Sequence, residues 1–301
     1  MAKKRRTFRL FNRRIDIGLI TIILFLTGFG LFMMLPLVFL VSTAFKPIEE
    51  LFIYPPSFFV KNPTMQNFRD LLISQSASSI PFTRYLFNSL LVSIVSVGFT
   101  VIIGSLASYP LSKHKFPGRN FIFSGIIVSL MFAPEVVEIP RYLIVTSLGL
   151  MDTYGALILP NLAFPIGLFL MKQFLEQVPD EVFEAGKIDG ASEWTLFYKI
   201  ALPLIRPAWA TVIILSFTAI WNDASSSALF TQSDEMKTLP YYLSTISGQA
   251  ANAAAGAAGL GIARAGANAA ATFLMTVPTV FIFILFQRQV LSTMAYSGIK
   301  S

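Results

Sequence analysis

The run from Ile17 to Phe45 is 29 residues long and carries no charged side chain. A helix rises about 1.5 Å per residue, so about 20 apolar residues cross about 30 Å of hydrocarbon. In that medium a chain must satisfy its own backbone hydrogen bonds, which leaves helices and closed barrels. This run is therefore a membrane helix with length to spare for tilt. Composition agrees: 54% of the 301 residues are hydrophobic and 13% charged, where soluble domains carry about 25% charged residues. A soluble enzyme and a disordered tail are both excluded.

Five further segments have the same character. They run from about Leu86 to Leu111, from Phe121 to about Pro134 with a less apolar extension to Pro140, from Tyr154 to Met171, from Ala208 to about Trp221, and from about Ala269 to Phe286. The expected fold is all-α, a polytopic membrane protein of about six transmembrane helices, with 1–16 as a basic segment and 17–301 as the membrane domain.

Seven basic residues, Lys3, Lys4, Arg5, Arg6, Arg9, Arg13 and Arg14, precede the first span. Its apolar run is about twice the length of a signal-peptide core and no small-residue cleavage pattern follows promptly, so it reads as a retained anchor. The seven charges place the amino terminus in the cytoplasm. Six alternating spans then put 16 of the 23 basic and 7 of the 16 acidic residues inside, a net +9 against −2 outside, with both termini cytoplasmic. The formal +7 is thus a topology signal, and nucleic acid is not expected as a partner. Without Cys the chain forms no disulfide or thiolate metal site.

Residues 46–85 read as an outer loop punctuated by Pro47, Pro55, Pro56, Pro63 and Pro81. Residues 228–268 form a second outer segment rich in small residues. Arg264, Asn252 and Asn268 interrupt the small-residue tract 249–271, and an extra crossing there would reverse the carboxyl terminus. The tract reads as a small-residue helix packed on its neighbours ahead of the sixth span.

One inner loop, 172–206, holds ten of the chain's 39 charges. Pro179 and Asp180 open a first helix with Asp180, Glu181 and Glu184 near its positive end. Gly190 breaks it, Ser192 caps a second, and Trp194, Phe197, Tyr198 and Leu202 are expected on one face of that second helix until Pro203 and Pro207 end it. A hairpin of this kind is shaped to be gripped; the plain alternative is an amphipathic pair lying on lipid headgroups.

The stretch EAGKIDGASEWTLFYKIALPLIRP, residues 184–207, resembles the EAA loop of the membrane subunits of ABC importers. The carrying residues are Glu184, Ala185, Gly186, Asp189 and Gly190, then, after nine intervening residues, Ile200, Leu202 and Pro203. Gly186 departs from the pattern, where Ala is more usual, at about 1 kcal/mol of helix propensity. Further stretches extend the resemblance along most of the chain, toward carbohydrate importers of the maltose type: Asn88-Ser89-Leu90, Ala107-Ser108-Tyr109-Pro110-Leu111, Lys115-Phe116-Pro117-Gly118, Leu148-Gly149-Leu150, Trp221-Asn222, and the ending Gln287-Arg288 to Gly298-Ile299-Lys300. Asp223-Ala224-Ser225-Ser226-Ser227 departs from it, replacing a more apolar run, and the small-residue tract looks like an insertion.

The resemblance implies a type I ABC importer permease in a bacterial or archaeal cytoplasmic membrane, forming half of a pathway for a carbohydrate, an oligosaccharide by type. It implies a second permease subunit, a homologous different chain, together with a pair of ATPase subunits gripping the EAA loop and an extracytoplasmic solute-binding protein. No G-x-x-x-x-G-K-S/T sequence occurs, so no P-loop is present here, and ATP and magnesium are expected on the partner ATPases with no cofactor in this chain.

No catalytic constellation is found, and the chain is not expected to be an enzyme. His114, the single histidine, sits in a basic turn and reads as solvated or facing headgroups. Trp221, Asn222 and Asp223 combine an indole, an amide and a carboxylate, a set suited to sugar hydroxyls, at the end of the fifth span; ending the helix at the membrane interface is the plain alternative. Glu135 and Glu138 read as rim residues or partners of Arg141. A secondary transporter or channel driven by an ion gradient would call for an intramembrane carboxylate relay and inverted repeats; neither is seen, and a passive anchor leaves the structured inner loop unexplained.

Overall fold

The computed structural model describes residues 7–10, 13–73, 80–256 and 258–298. An antiparallel pair, β1 (Thr7–Leu10) and β2 (Arg13–Asp16), leads into a helical chain. The helices are α1 (Ile17–Ala44), α2 (Ile48–Leu51), α3 (Gln66–Ile73), α4 (Phe82–Lys113), α5 (Arg119–Ser129), α6 (Pro134–Ser147), α7 (Tyr154–Leu162), α8 (Pro165–Glu176), α9 (Asp180–Ile188), α10 (Glu193–Leu196), α11 (Leu202–Leu204), α12 (Arg206–Trp221), α13 (Ser225–Phe230), α14 (Leu239–Gly256) and α15 (Ala258–Gly298). A π-helical turn, Phe197–Ala201, joins α10 to α11.

Among the described residues four helical segments are long and apolar enough to cross a membrane: Gly18–Ala44, Phe82–Lys113, Tyr154–Glu176 and Ala265–Val290. Two bent pairs raise the number to six if each is one span. The expected third span is one of these: α5 and α6 meet at 110° and do not form one straight helix. At about 16 and 21 Å, neither crosses hydrocarbon alone. Pro134 explains the break, because it disfavours helical geometry at the preceding residue, and Ala133 is extended at φ −66°, ψ 141°. Near Ile205, flanked by Pro203 and Pro207, the segment Glu193–Leu204 turns 70° into α12.

The chain divides into two compact units, 1–71 with 250–273, and 72–249 with 274–301. In the first, Ala44, Ala269 and Ala270 are buried together beside Phe45, Phe68 and Phe273. Asn67 Nδ2 donates to the carbonyls of Ala44 (2.9 Å) and Lys46 (2.8 Å), satisfying groups left open at the end of α1. The proline-punctuated loop is partly structured in its own right: Glu50 accepts the Lys61 and Asn62 N–H groups at 3.0 and 2.8 Å.

In the second unit α4 is the axis, packed against α7, α8 and α12. Its packed face is small and polar, with Ser89, Ser93, Ser96, Thr100, Ser105 and Ser108 all buried. Such residues let helix backbones approach in lipid, where Leu on Leu gives no advantage over Leu on hydrocarbon. Ser105 Oγ accepts the Trp209 indole N–H at 2.8 Å, tying α4 to α12.

Candidate functional site

The loop 177–205 is a folded knob. Its first helix, α9, starts after Pro179 with Asp180 and Glu181 in its first turn. It ends in a Schellman motif: Gly190 N–H donates to Lys187 O and Ala191 N–H to Gly186 O, both at 3.0 Å, around Gly190 at φ +77°. Ser192 Oγ accepts the Thr195 N–H and caps α10. The two helices close face to face at Gly186, where a Cβ would lie 2.6 Å from Leu196 Cδ2 and 3.1 Å from Ile200 Cδ1. The glycine that departs from the usual pattern is thus where the hairpin is tightest.

Leu196, Phe197, Ala201 and Ile205 are buried with Phe183, Tyr109, Met171 and Leu175 in one apolar cluster, against which Ile200 and Leu202 also pack. The expected aromatic face is not realised: Trp194 and Tyr198 are 65% and 64% exposed while Phe197 is buried. Packing selects one of the three rings: Phe197 joins the cluster with Phe183 and Tyr109, and Trp194 and Tyr198 stay outside it. On the outer surface of the knob Ile188 is 86% exposed, and Glu184, Ala185 and Asp189 are exposed beside it. Glu184 makes no side-chain hydrogen bond or ion pair among the described residues, and Pro203 is exposed at the far end.

The knob's inner side is fastened to the end of α4. Lys113 Nζ donates to Val178 O and Asp180 Oδ1, both at 2.6 Å, and lies 5.1 Å from the Phe183 ring centre. The Lys113 ammonium holds the Asp180 carboxyl below its usual range. Glu193 accepts from Tyr109 Oη at 3.0 Å, pairs with Lys187 Nζ at 3.0 Å, and lies 3.2 Å from His114 Nε2. The Lys187 contact, with the Tyr109 hydroxyl adding to it, lowers the Glu193 pKa against the opposing effect of burial. His114 is therefore not a free headgroup-facing ring but a partner of the loop. Lys172 and Arg119 share Glu176 at 2.5 and 3.4 Å beside it.

The second set of expected residues lies at the far end of α12. Trp221 is 1% exposed, stacks on Phe217 at 5.5 Å and donates its indole N–H to Met275 O at 2.8 Å, so its ring is enclosed. Asn222 Nδ2 donates to Thr218 O at 2.8 Å. Asp223 Oδ1 accepts the Ser226 N–H at 3.1 Å and faces a narrow cleft shared with Ser89, Ser93, Asn161, Ser227 and Thr238. Of the three, Asp223 lines a cavity. Arg141 differs from its expected pairing: its guanidinium donates to Asn161 Oδ1 (3.2 Å) and Ser226 Oγ (3.4 Å) and makes no ion pair with Glu135 or Glu138.

Residues without a role in the sequence reading surround both places. Tyr109 and Glu193 lie inside stretches that carry the resemblance but stood there without a function, and Lys113 and Asn161 carried no motif; the i, i+4 rhythm of Tyr109 and Lys113 at the end of an apolar helix was the available signal.

Known proteins place the chain. It is 32% identical over 271 residues to the arabinooligosaccharides transport system permease protein AraQ of Halalkalibacterium halodurans, covering 88% of this chain and 90% of that one. It is 27% identical to AraQ of Bacillus subtilis (93% and 95% covered) and 28% identical to the sulfoquinovosyl glycerol transport system permease protein SmoH of Agrobacterium fabrum (90% and 89%). The fold matches a chain in the crystal structure of a bacterial ABC transporter involved in the import of the acidic polysaccharide alginate, with a TM-score of 0.73, 20% identity, and 90% and 95% coverage. Residues 100–296, which hold the whole knob and its α4 fastening, match the binding-protein-dependent transport system inner membrane component. By that match and by its relatives, the chain belongs to the inner membrane permease components of binding-protein-dependent transport systems.

Proposed function

We propose that this permease forms half of an import pathway for a carbohydrate, an oligosaccharide by class, and couples to separate ATPase subunits through residues 180–203. The observation that carries the reading is the outer surface of the knob: Glu184, Ile188, Trp194 and Tyr198 are exposed on a hairpin that is rigidly built from behind. A carboxylate without a partner among the described residues, beside large apolar side chains, is the composition of a protein contact, with the apolar groups as anchors. In this reading ATP and magnesium bind the ATPase pair, a solute-binding protein delivers the solute on the opposite face, and a second, homologous permease completes the pathway. This chain carries no chemistry of its own. The charge asymmetry supports a knob on the cytoplasmic side, with both termini.

The names of the relatives support a glycan-type solute, and Asp223, on its hydroxyl-lined cleft, is the side chain assigned to border the pathway. The ATPase moves the knob by binding one permease conformation better than the other, since only differential affinity shifts such an equilibrium. The test is co-purification of the ATPase with Glu184→Lys, together with a panel of arabino- and glucooligosaccharides assayed for stimulation of ATP hydrolysis by the assembled complex. Loss of the ATPase in Glu184→Lys and stimulation by a sugar are expected. Retained ATPase and normal uptake would remove the coupling assignment, and a panel without any active sugar would remove the carbohydrate.

A further inference from the structure

The carboxyl-terminal turn of α4 holds both helices of the knob by separate contacts. Lys113 takes the start of α9 through Asp180 Oδ1 and Val178 O, both at 2.6 Å. Tyr109 and His114 take the start of α10 through Glu193 Oε2, at 3.0 and 3.2 Å. Lys187, near the end of α9, binds the other oxygen of Glu193 at 3.0 Å, so one carboxylate joins α4, α9 and α10. The Tyr109 ring is 7% exposed and packs on Phe183 of α9 and Phe197 of the π turn at 6.0 and 5.4 Å. Because a carboxylate accepts only, the His114 ring carries its proton on Nε2 in this contact; its buried Nδ1 has no partner among the described residues.

The other end of α4 is fastened just as firmly. Arg84 Nε and Asn88 Nδ2 donate to Glu235 O at 3.1 and 2.8 Å, Asn88 Nδ2 also to Lys237 O at 2.8 Å, and Ser89 Oγ accepts the Leu239 N–H at 2.8 Å. Asn88 Oδ1 accepts the Tyr154 hydroxyl at 2.7 Å. A 32-residue helix is about 48 Å long and stiff along its axis.

We propose that Glu193 is a positioning residue for transport: with Tyr109 and His114 it clasps the knob to α4, so that knob and α4 move as one body and α4 carries the displacement to the segment 234–239. This rests on the coupling role proposed for the knob. Glu193 is half-exposed, but its two carboxylate oxygens are taken up by Tyr109, His114 and Lys187, and it is not among the residues assigned to the ATPase contact. Without the clasp the knob still folds, because its apolar cluster and Schellman turn remain, but it can shift without α4.

The chain lacks Cys, so two introduced thiols are its only ones. Lys199→Cys on the knob and Phe99→Cys on α4, both exposed positions, carry nitroxide labels in the complex with its ATPase, and their separation is measured by pulsed electron resonance with and without MgATP and vanadate. In the otherwise wild-type chain the distance is expected to stay within about 2 Å, the scale of an ordinary helix shift. In Tyr109→Phe and Glu193→Ala it is expected to change on nucleotide addition by more than that, with the double variant no worse than the larger single change and Glu193→Gln intermediate, since its amide oxygen still accepts the Tyr109 hydroxyl. A purely structural role would broaden the distances equally with and without nucleotide. A nucleotide-dependent change already present in the wild-type clasp, or variants as rigid as it, would overturn the proposal. Glu184→Lys separates the two readings: if it keeps the ATPase, the coupling role itself fails, whereas if it loses the ATPase while the clasp variants stay rigid, only the clasp fails.

Discussion

The N–H of Ala191 reaches the carbonyl of Gly186 at 3.0 Å, across a Gly190 held at φ +77°. That bond turns the chain from the acidic helix into the aromatic one. A Cβ at Gly190 would meet nothing within 4 Å, so the demand at this position is conformational and not one of space. The left-handed region costs an ordinary residue about 1–2 kcal/mol and is worst for β-branched ones, while Asn enters it readily. Gly190→Asn should therefore retain transport and the ATPase, and Gly190→Val should lower the properly turned fraction by roughly 5–30-fold. Uptake and ATPase co-purification measured on both variants check this; equal behaviour would show that the turn is not the requirement.

Asp180 and Glu193 both have lowered pKa values because cationic Lys113 and Lys187 bind their ionised forms. The sign follows: their contribution is complete above the ordinary carboxylate range near pH 4 and is lost as pH falls through the lowered native values. A nitroxide at Lys199→Cys should report constant mobility from about pH 8 to about pH 5 and loosening only below about pH 4. Loosening complete by about pH 6 would contradict this assignment.

Asp223→Asn should reduce the ratio of solute-stimulated to basal ATP hydrolysis by about tenfold, the factor carried by a hydrogen bond to a charged group, with the ATPase still bound. The variant keeps the size of the side chain and its acceptor for the Ser226 N–H. An unchanged ratio and unchanged sugar preference would return Asp223 to the role of a helix end.

Asn88 is fully buried and satisfies Glu235 O, Lys237 O and the Tyr154 hydroxyl at once. Asn88→Leu strands Lys237 O and the Tyr154 hydroxyl at about 1–3 kcal/mol each if water does not reach them, while Glu235 O keeps Arg84 Nε. A fall in thermal midpoint of at least about 5 °C in detergent is expected. A midpoint within about 1 °C of the parent would show that the network relaxes around the loss.

A reporter active only outside the cell, fused after Ser301, should stay dark, as the +9 and −2 surfaces require. A bright signal would break the six-span arrangement.

Apolar runs and charge asymmetry were sufficient for a helical membrane protein, because the cost of exposing backbone to lipid leaves few alternatives and is paid segment by segment. The knob was legible for the same local reason: Pro179, Gly190 and Ser192 act on their immediate neighbours, and the structure places a helix start, a left-handed turn and a cap at those residues. Only the tertiary structure decided which aromatic residues of the second helix face in: Phe197 enters the cluster with Phe183 and Leu175, while Trp194 and Tyr198 stay exposed. It alone enclosed Trp221 against Met275, gave Arg141 to Asn161 and Ser226, and brought His114 to Glu193, 79 residues away in sequence. Contacts of that separation leave no periodic trace along the chain, because what selects them is the charge and space left over when α4, α8 and α12 pack together.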